Sequence, residues 1–91
     1  MEVIGSVMAD PEVVATEVQG GAALLDLRTS QYYGLNAVGS FVWSQIQTPK
    51  TLDQLAEAVS NDFAVEAAVC RADVARLVDD FTRAGLVKRD A

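Results

Sequence analysis

The chain has 91 residues and a formal net charge of −6, with 51% hydrophobic and 22% charged residues. That is one small folded domain over residues 1–91, neither two domains nor a disordered tail. There is no histidine, which removes the commonest general base and metal ligand, and the single cysteine, Cys70, excludes an internal disulfide framework or a cysteine-based zinc site.

The opening MEVIGSVMADPE has neither a basic n-region nor a sustained apolar run, so it does not read as a secretory signal. The uncharged stretch Thr29 to Pro49 is interrupted throughout by polar residues and does not span a membrane. A cytoplasmic protein is expected. Val13 to Val18, after the Asp10-Pro11 turn, is rich in β-branched residues and predicts a strand. Gln19-Gly20-Gly21 supplies a hairpin loop, and Ala22 to Leu27 the second strand. Alternation places Ala23, Leu25 and Leu27 on one face and Asp26 on the opposite, half-exposed one. Arg28-Thr29-Ser30 makes the next turn, and Gln31 to Leu35 a third strand with Tyr33 and Leu35 on one side and Tyr32 on the other.

The remainder predicts helices. Asn36 is an N-cap for a helix carrying Val38, Phe41, Val42 and Ile46, in which Gly39 implies close backbone packing. Thr51-Leu52-Asp53-Gln54 is a capping box opening a short helix to Asn61-Asp62. A last helix runs from about Glu66 to Ala84, with Cys70, Val74, Leu77, Val78 and Phe81 on one stripe and Gly85 at its end; Leu86-Val87 folds back onto the core. The expected fold is α+β, a three-stranded antiparallel meander followed by three helices.

Catalytic constellations are missing. Asp79-Asp80 point about 100° apart on a helix and make a poor metal or acid–base dyad. Cys70 on an apolar stripe reads as an inert core thiol. Neither a cofactor nor a metal site is expected. Residues 1–62 hold eight acidic side chains against two basic ones, while the rest holds five of each. This balance disfavours a winged-helix DNA-binding regulator using Arg71, Arg76 and Arg83, so no nucleic acid is expected as partner. A structural subunit of a larger enzyme complex is a further reading. The sheet edges say more. The first strand carries Pro11 beside it and Glu12 and Glu17, devices that discourage further pairing. The third carries neither proline nor charge, which leaves two readings open: cover by a helix, or a peptide added as a strand.

The run Leu24 to Gly39, LLDLRTSQYYGLNAVG, followed by Val42-Trp43, resembles the signature of PqqD-like proteins, the precursor-peptide recognition elements of ribosomally made, modified peptide pathways such as those of lasso peptides and pyrroloquinoline quinone. Asp73-Val74, Leu77, Phe81 and Gly85-Leu86-Val87 are similar to that family's last helix, and the resemblance covers about residues 10 to 88. Ser30 departs from it, standing where the family usually has glycine. The resemblance implies a winged helix-turn-helix-like fold and a non-catalytic role: binding the leader of a precursor peptide and presenting its core segment to a modifying enzyme or maturation protease. It implies main-chain pairing along Gln31, Tyr32, Tyr33 and Gly34, with side-chain contacts from Tyr32, Tyr33 and from Cys70, Asp73, Val74 and Leu77. The exposed third strand also suits pairing with its copy in a homodimer.

Overall fold

The computed structural model describes residues 5–90, so residues 1–4 and 91 of the expected 1–91 domain lie outside the described residues. The element order is β1 (Ser6–Ala9), β2 (Val13–Val18), β3 (Gly21–Asp26), β4 (Gln31–Leu35), α1 (Ala37–Gln45), α2 (Leu52–Phe63), α3 (Ala67–Arg83) and β5 (Val87–Asp90). The expected meander is β2-β3-β4, all antiparallel, and three helices follow it. The sequence reading lacked one feature: β1 and β5 form a separate two-stranded antiparallel sheet, Val7 opposite Arg89 and Ala9 opposite Val87. Each strand has four residues and its partner lies at the other end of the chain, so neither carries a local hairpin signal.

Helix boundaries follow side-chain chemistry. The Asn36 side chain accepts a hydrogen bond from the Gly39 N–H at 2.8 Å. A Cβ on Gly39 would stand 3.4 Å from Asn36 Oδ1 and from Leu35 Cβ, the close approach its place in α1 implied. The Thr51 hydroxyl accepts from the Gln54 N–H at 3.1 Å and the Gln54 side chain from the Thr51 N–H at 2.9 Å, a complete capping box. α3 ends in a Schellman arrangement, with the Leu86 N–H on the Phe81 carbonyl and the Gly85 N–H on the Thr82 carbonyl. Gly85 supplies the positive φ of 75° this requires.

The core forms where the inner faces of β3 and the helices meet. Leu24, Val42, Ile46, Leu55 and Val78 are fully enclosed, with Trp43 set edge-on to Phe81 at 5.5 Å. The face of β3 is the reverse of the one expected. Ala22, Leu24 and Asp26 are buried, whereas Leu27 is 52% exposed. Ala22 and Leu24 are as apolar as Ala23 and Leu25, so the hydrophobic pattern fits both phases. The decision falls to Asp26, which is buried because its charge is answered. Arg28 grips it with two bonds of 3.1 Å, from Nε and from Nη2. The same guanidinium reaches Asp10 Oδ2 at 3.2 Å and the Gly85 carbonyl at 2.7 Å. One side chain thus joins the β3–β4 loop to the β1–β2 turn and to the end of α3.

Candidate functional site

Hydrogen-bond alternation shows which groups β4 leaves free. The Leu27 N–H donates to the Glu12 carbonyl at 2.9 Å, one step beyond the Val13–Asp26 pair. Opposed residues of an antiparallel ladder exchange both bonds or neither, in alternation. Towards β2 the bonded residues of β3 are therefore Gly21, Ala23 and Leu25. Ala22, Leu24 and Asp26 then turn their main chain to β4, where they oppose Leu35, Tyr33 and Gln31. Tyr32 and Gly34 are left with N–H and C=O pointing out of the sheet, since β4 has no neighbour on that side in the described sheet. Of the four strand residues singled out in the sequence, Tyr32 and Gly34 offer main-chain groups. Gln31 and Tyr33 hold the strand to β3, and the Tyr33 hydroxyl also donates to Gln31 Oε1 at 2.9 Å.

β4 runs straight into the Asn36 cap, and beyond that turn lies a groove of about 310 Å³ between the start of α1 and the middle of α3. Val38 and Leu77 form its apolar wall, with Asn36, Asp73 and Asp80 as polar rim. Tyr33 and Leu35, on the inner face of β4, are half-buried against the core beside them. Tyr32 projects from the opposite face, 74% exposed. The structure separates the four residues named on the last helix. Asp73 and Leu77 stand at the groove, whereas Cys70 and Val74 are 3% and 1% exposed and lie in the core behind it. A stripe spaced at three and four residues marks the inward face of a helix and does not tell which of its members a partner can reach. Val38 was read only as a core position, and it lines the groove as well.

The arginines of α3 are each paired with a carboxylate, on α3 itself or on α2. Arg71 Nε lies 2.6 Å from Asp53, Arg76 is 3.7 Å from Asp73, and Arg83 is 2.8 Å from Asp79. The three arginines considered for phosphate contact each sit beside a carboxylate. Among the described residues no group of three or more His, Cys, Asp or Glu side chains is placed to hold a metal ion, and no helix is long and apolar enough to cross a membrane.

Fold and edge together define an α+β domain of winged helix-turn-helix type, with one uncharged sheet edge opening beside its last helix. The chain belongs to the family of coenzyme PQQ synthesis protein D (PqqD), whose model matches residues 21–87, from the start of β3 to the start of β5. No functionally curated protein matches it in sequence. Three solved structures share its fold. TbiB1 in complex with the TbiA(beta) leader peptide superposes with a TM-score of 0.79 at 25% identity, over 89% of this chain and 94% of that one. A lasso peptide synthetase B1 complexed with the leader peptide gives 0.76 at 22% identity, over 90% and 96%. The PqqD truncation of Methylobacterium extorquens PqqCD, described as a stand-alone recognition element for ribosomally synthesized and post-translationally modified peptides, gives 0.74 at 15% identity, over 91% and 88%.

Proposed function

We propose that this protein binds the leader segment of a ribosomally made precursor peptide by adding it as a strand to β4, and hands the core segment to a modifying enzyme or protease without catalysing a reaction itself. The observation that carries this reading is the free edge at Tyr32 and Gly34, which opens beside the groove of Val38, Asp73 and Leu77. Strand addition supplies main-chain bonds whatever the leader sequence, and side chains on alternate leader residues provide the selection. One face of an added strand would continue the inner face of Tyr33 and Leu35 and seat an apolar side chain between Val38 and Leu77. Cys70 and Val74 contribute from beneath, by holding α3 at the height where Asp73 and Leu77 meet that strand. Membership of the PqqD family and likeness to leader-bound relatives support the same reading.

A non-catalytic role suits a chain with no histidine, whose one thiol, Cys70, is buried. The domain works in the cytoplasm as a carrier of peptide. Ordering a disordered leader costs a few kcal/mol, so a dissociation constant of about 10 nM to 10 μM is expected, with favourable enthalpy opposed by entropy. Titration calorimetry with the leader of the cognate precursor peptide tests it. Saturable binding in that range supports the reading, and no binding at leader concentrations of about 100 μM contradicts it.

A further inference from the structure

The opposite edge of the meander has its own groove. Alternation leaves the N–H and C=O of Ala15 and Glu17 pointing away from β3, and β2 has no neighbour on that side in the described sheet. Beside these residues, β2, the start of β3, α1 and the end of α2 enclose a depression of about 480 Å³. Phe41, Trp43 and Phe63 form its floor, with Phe41 and Phe63 edge to face at 5.5 Å. A second depression of about 490 Å³ continues it along β2, and the two share Ala15, Trp43 and Ser44. The charged side chains lining this surface are Glu17 and Asp62, both carboxylates and both exposed.

We propose that the β2 edge and this groove form a second docking site, which takes an extended, cationic and apolar segment of another protein. Apolar side chains of that segment face Trp43 and Phe41, its main chain pairs with Ala15 and Glu17, and a Lys or Arg meets Glu17 or Asp62. Charge selects the occupant. A second copy of this chain would bring the same acidic edge, Glu17 included, to the pairing, and like charges across a strand pair oppose it. The acidic residues that guard β2 against its own kind therefore attract a basic strand. Because β2 and β4 are the two outer strands, both sites can be filled at once, and the domain would bridge a carried peptide and a second protein.

The test uses the full chain, labelled with nitrogen-15, and two blocked hexapeptides as probes. One alternates valine with lysine and the other alternates valine with glutamate. We expect the lysine peptide to shift the amides of Ala15, Glu17 and Ser44 and the indole of Trp43, and the glutamate peptide to bind at least tenfold more weakly. The double variant Glu17→Lys, Asp62→Lys, both positions being exposed, should weaken the lysine peptide at least tenfold with an unchanged amide dispersion and unchanged leader affinity. Equal binding of the two peptides overturns the proposal, as does the absence of shifts at millimolar peptide. Shifts confined to Tyr32 and Gly34, or self-association through β2 without peptide, overturn it as well. Leader binding at β4 is read separately, by calorimetry with the leader, and none of these outcomes counts against it, so the two readings fail separately.

Discussion

Proline substitution along β4 separates binding from folding, because successive residues send their N–H groups in opposite directions. Tyr32 points its N–H out of the sheet, and its side chain is 74% exposed, so Tyr32→Pro removes a donor and little packing. The lost main-chain bond is worth about 0.5–1.5 kcal/mol, and the ring intrudes where the leader backbone must approach. A fall in leader affinity of at least about tenfold is expected, equivalent to about 1.4 kcal/mol. Tyr33 opposes Leu24 in the bonded register and packs on the core. Tyr33→Pro breaks the ladder inside the sheet and strips the Tyr33 ring from the core, together a cost of about 3 kcal/mol or more. For a domain of this size that lowers the melting temperature by roughly 10 °C or more. Tyr32→Thr keeps the N–H and a strand-favouring side chain, so its difference from Tyr32→Pro isolates the main-chain contribution. Thermal melts followed by calorimetry on each variant give both readings. If Tyr33→Pro folds normally and loses the leader while Tyr32→Pro binds it as before, the assigned register of β4 is wrong.

Ser30 sits in the left-handed region at φ 61°, which glycine adopts without strain, so Ser30→Gly should stabilise the fold by about 1 kcal/mol in urea unfolding. The Arg28 guanidinium holds the Asp26 carboxyl below its ordinary value of 3.8. A carboxyl lowered on folding contributes stability that is present above its unfolded pKa and is lost as pH falls through the folded value. The stability gap between wild type and Arg28→Gln should therefore be widest near neutral pH and narrow below about pH 4, leaving the part owed to the Gly85 carbonyl, as read from urea unfolding across that range. Leu77→Ala should weaken leader binding through the groove wall, whereas Val74→Ala, at a fully buried position, should lower the melting temperature first. Asp73→Arg reverses a charge at the groove rim and should change leader affinity with little change in melting temperature, which calorimetry and thermal melts report together.

Local chemistry made much of the fold legible. The caps at Asn36 and Thr51 and the terminator Gly85 depend on residues within three or four positions, and each stands where the pattern put it. What depended on distant partners was not legible. Asp26 looked like a solvent-facing strand residue although Arg28, which answers its charge, is only two positions away. What holds Arg28 over it, Asp10 and the Gly85 carbonyl, lies eighteen and fifty-seven positions from Arg28. The β1–β5 sheet joins the two ends of the chain, and four residues of alternation at each end do not announce a pairing. For the site, the uncharged edge of β4 could be read directly, since edge protection is written in prolines and charges. The apolar stripe of α3 could not be divided into core and groove, because periodicity fixes a face but not what covers each residue. Cys70 and Val74 are enclosed while Leu77, on the same stripe, reaches the groove. The groove along β2 had no sequence signal beyond Glu17, which read only as a guard against pairing.

The central claim, that a leader pairs with β4, is tested most directly by chemical-shift mapping of the labelled chain with its leader. Strand addition at the assigned register predicts large changes at the amides of Tyr32 and Gly34 and at Val38, Asp73 and Leu77, with cross-strand contacts from the leader main chain to Tyr32 and Gly34. Changes clustered on Val13 to Val18 or on Thr51 to Val59, with Gln31 to Gly34 and Asp73 to Leu77 unmoved, would contradict it.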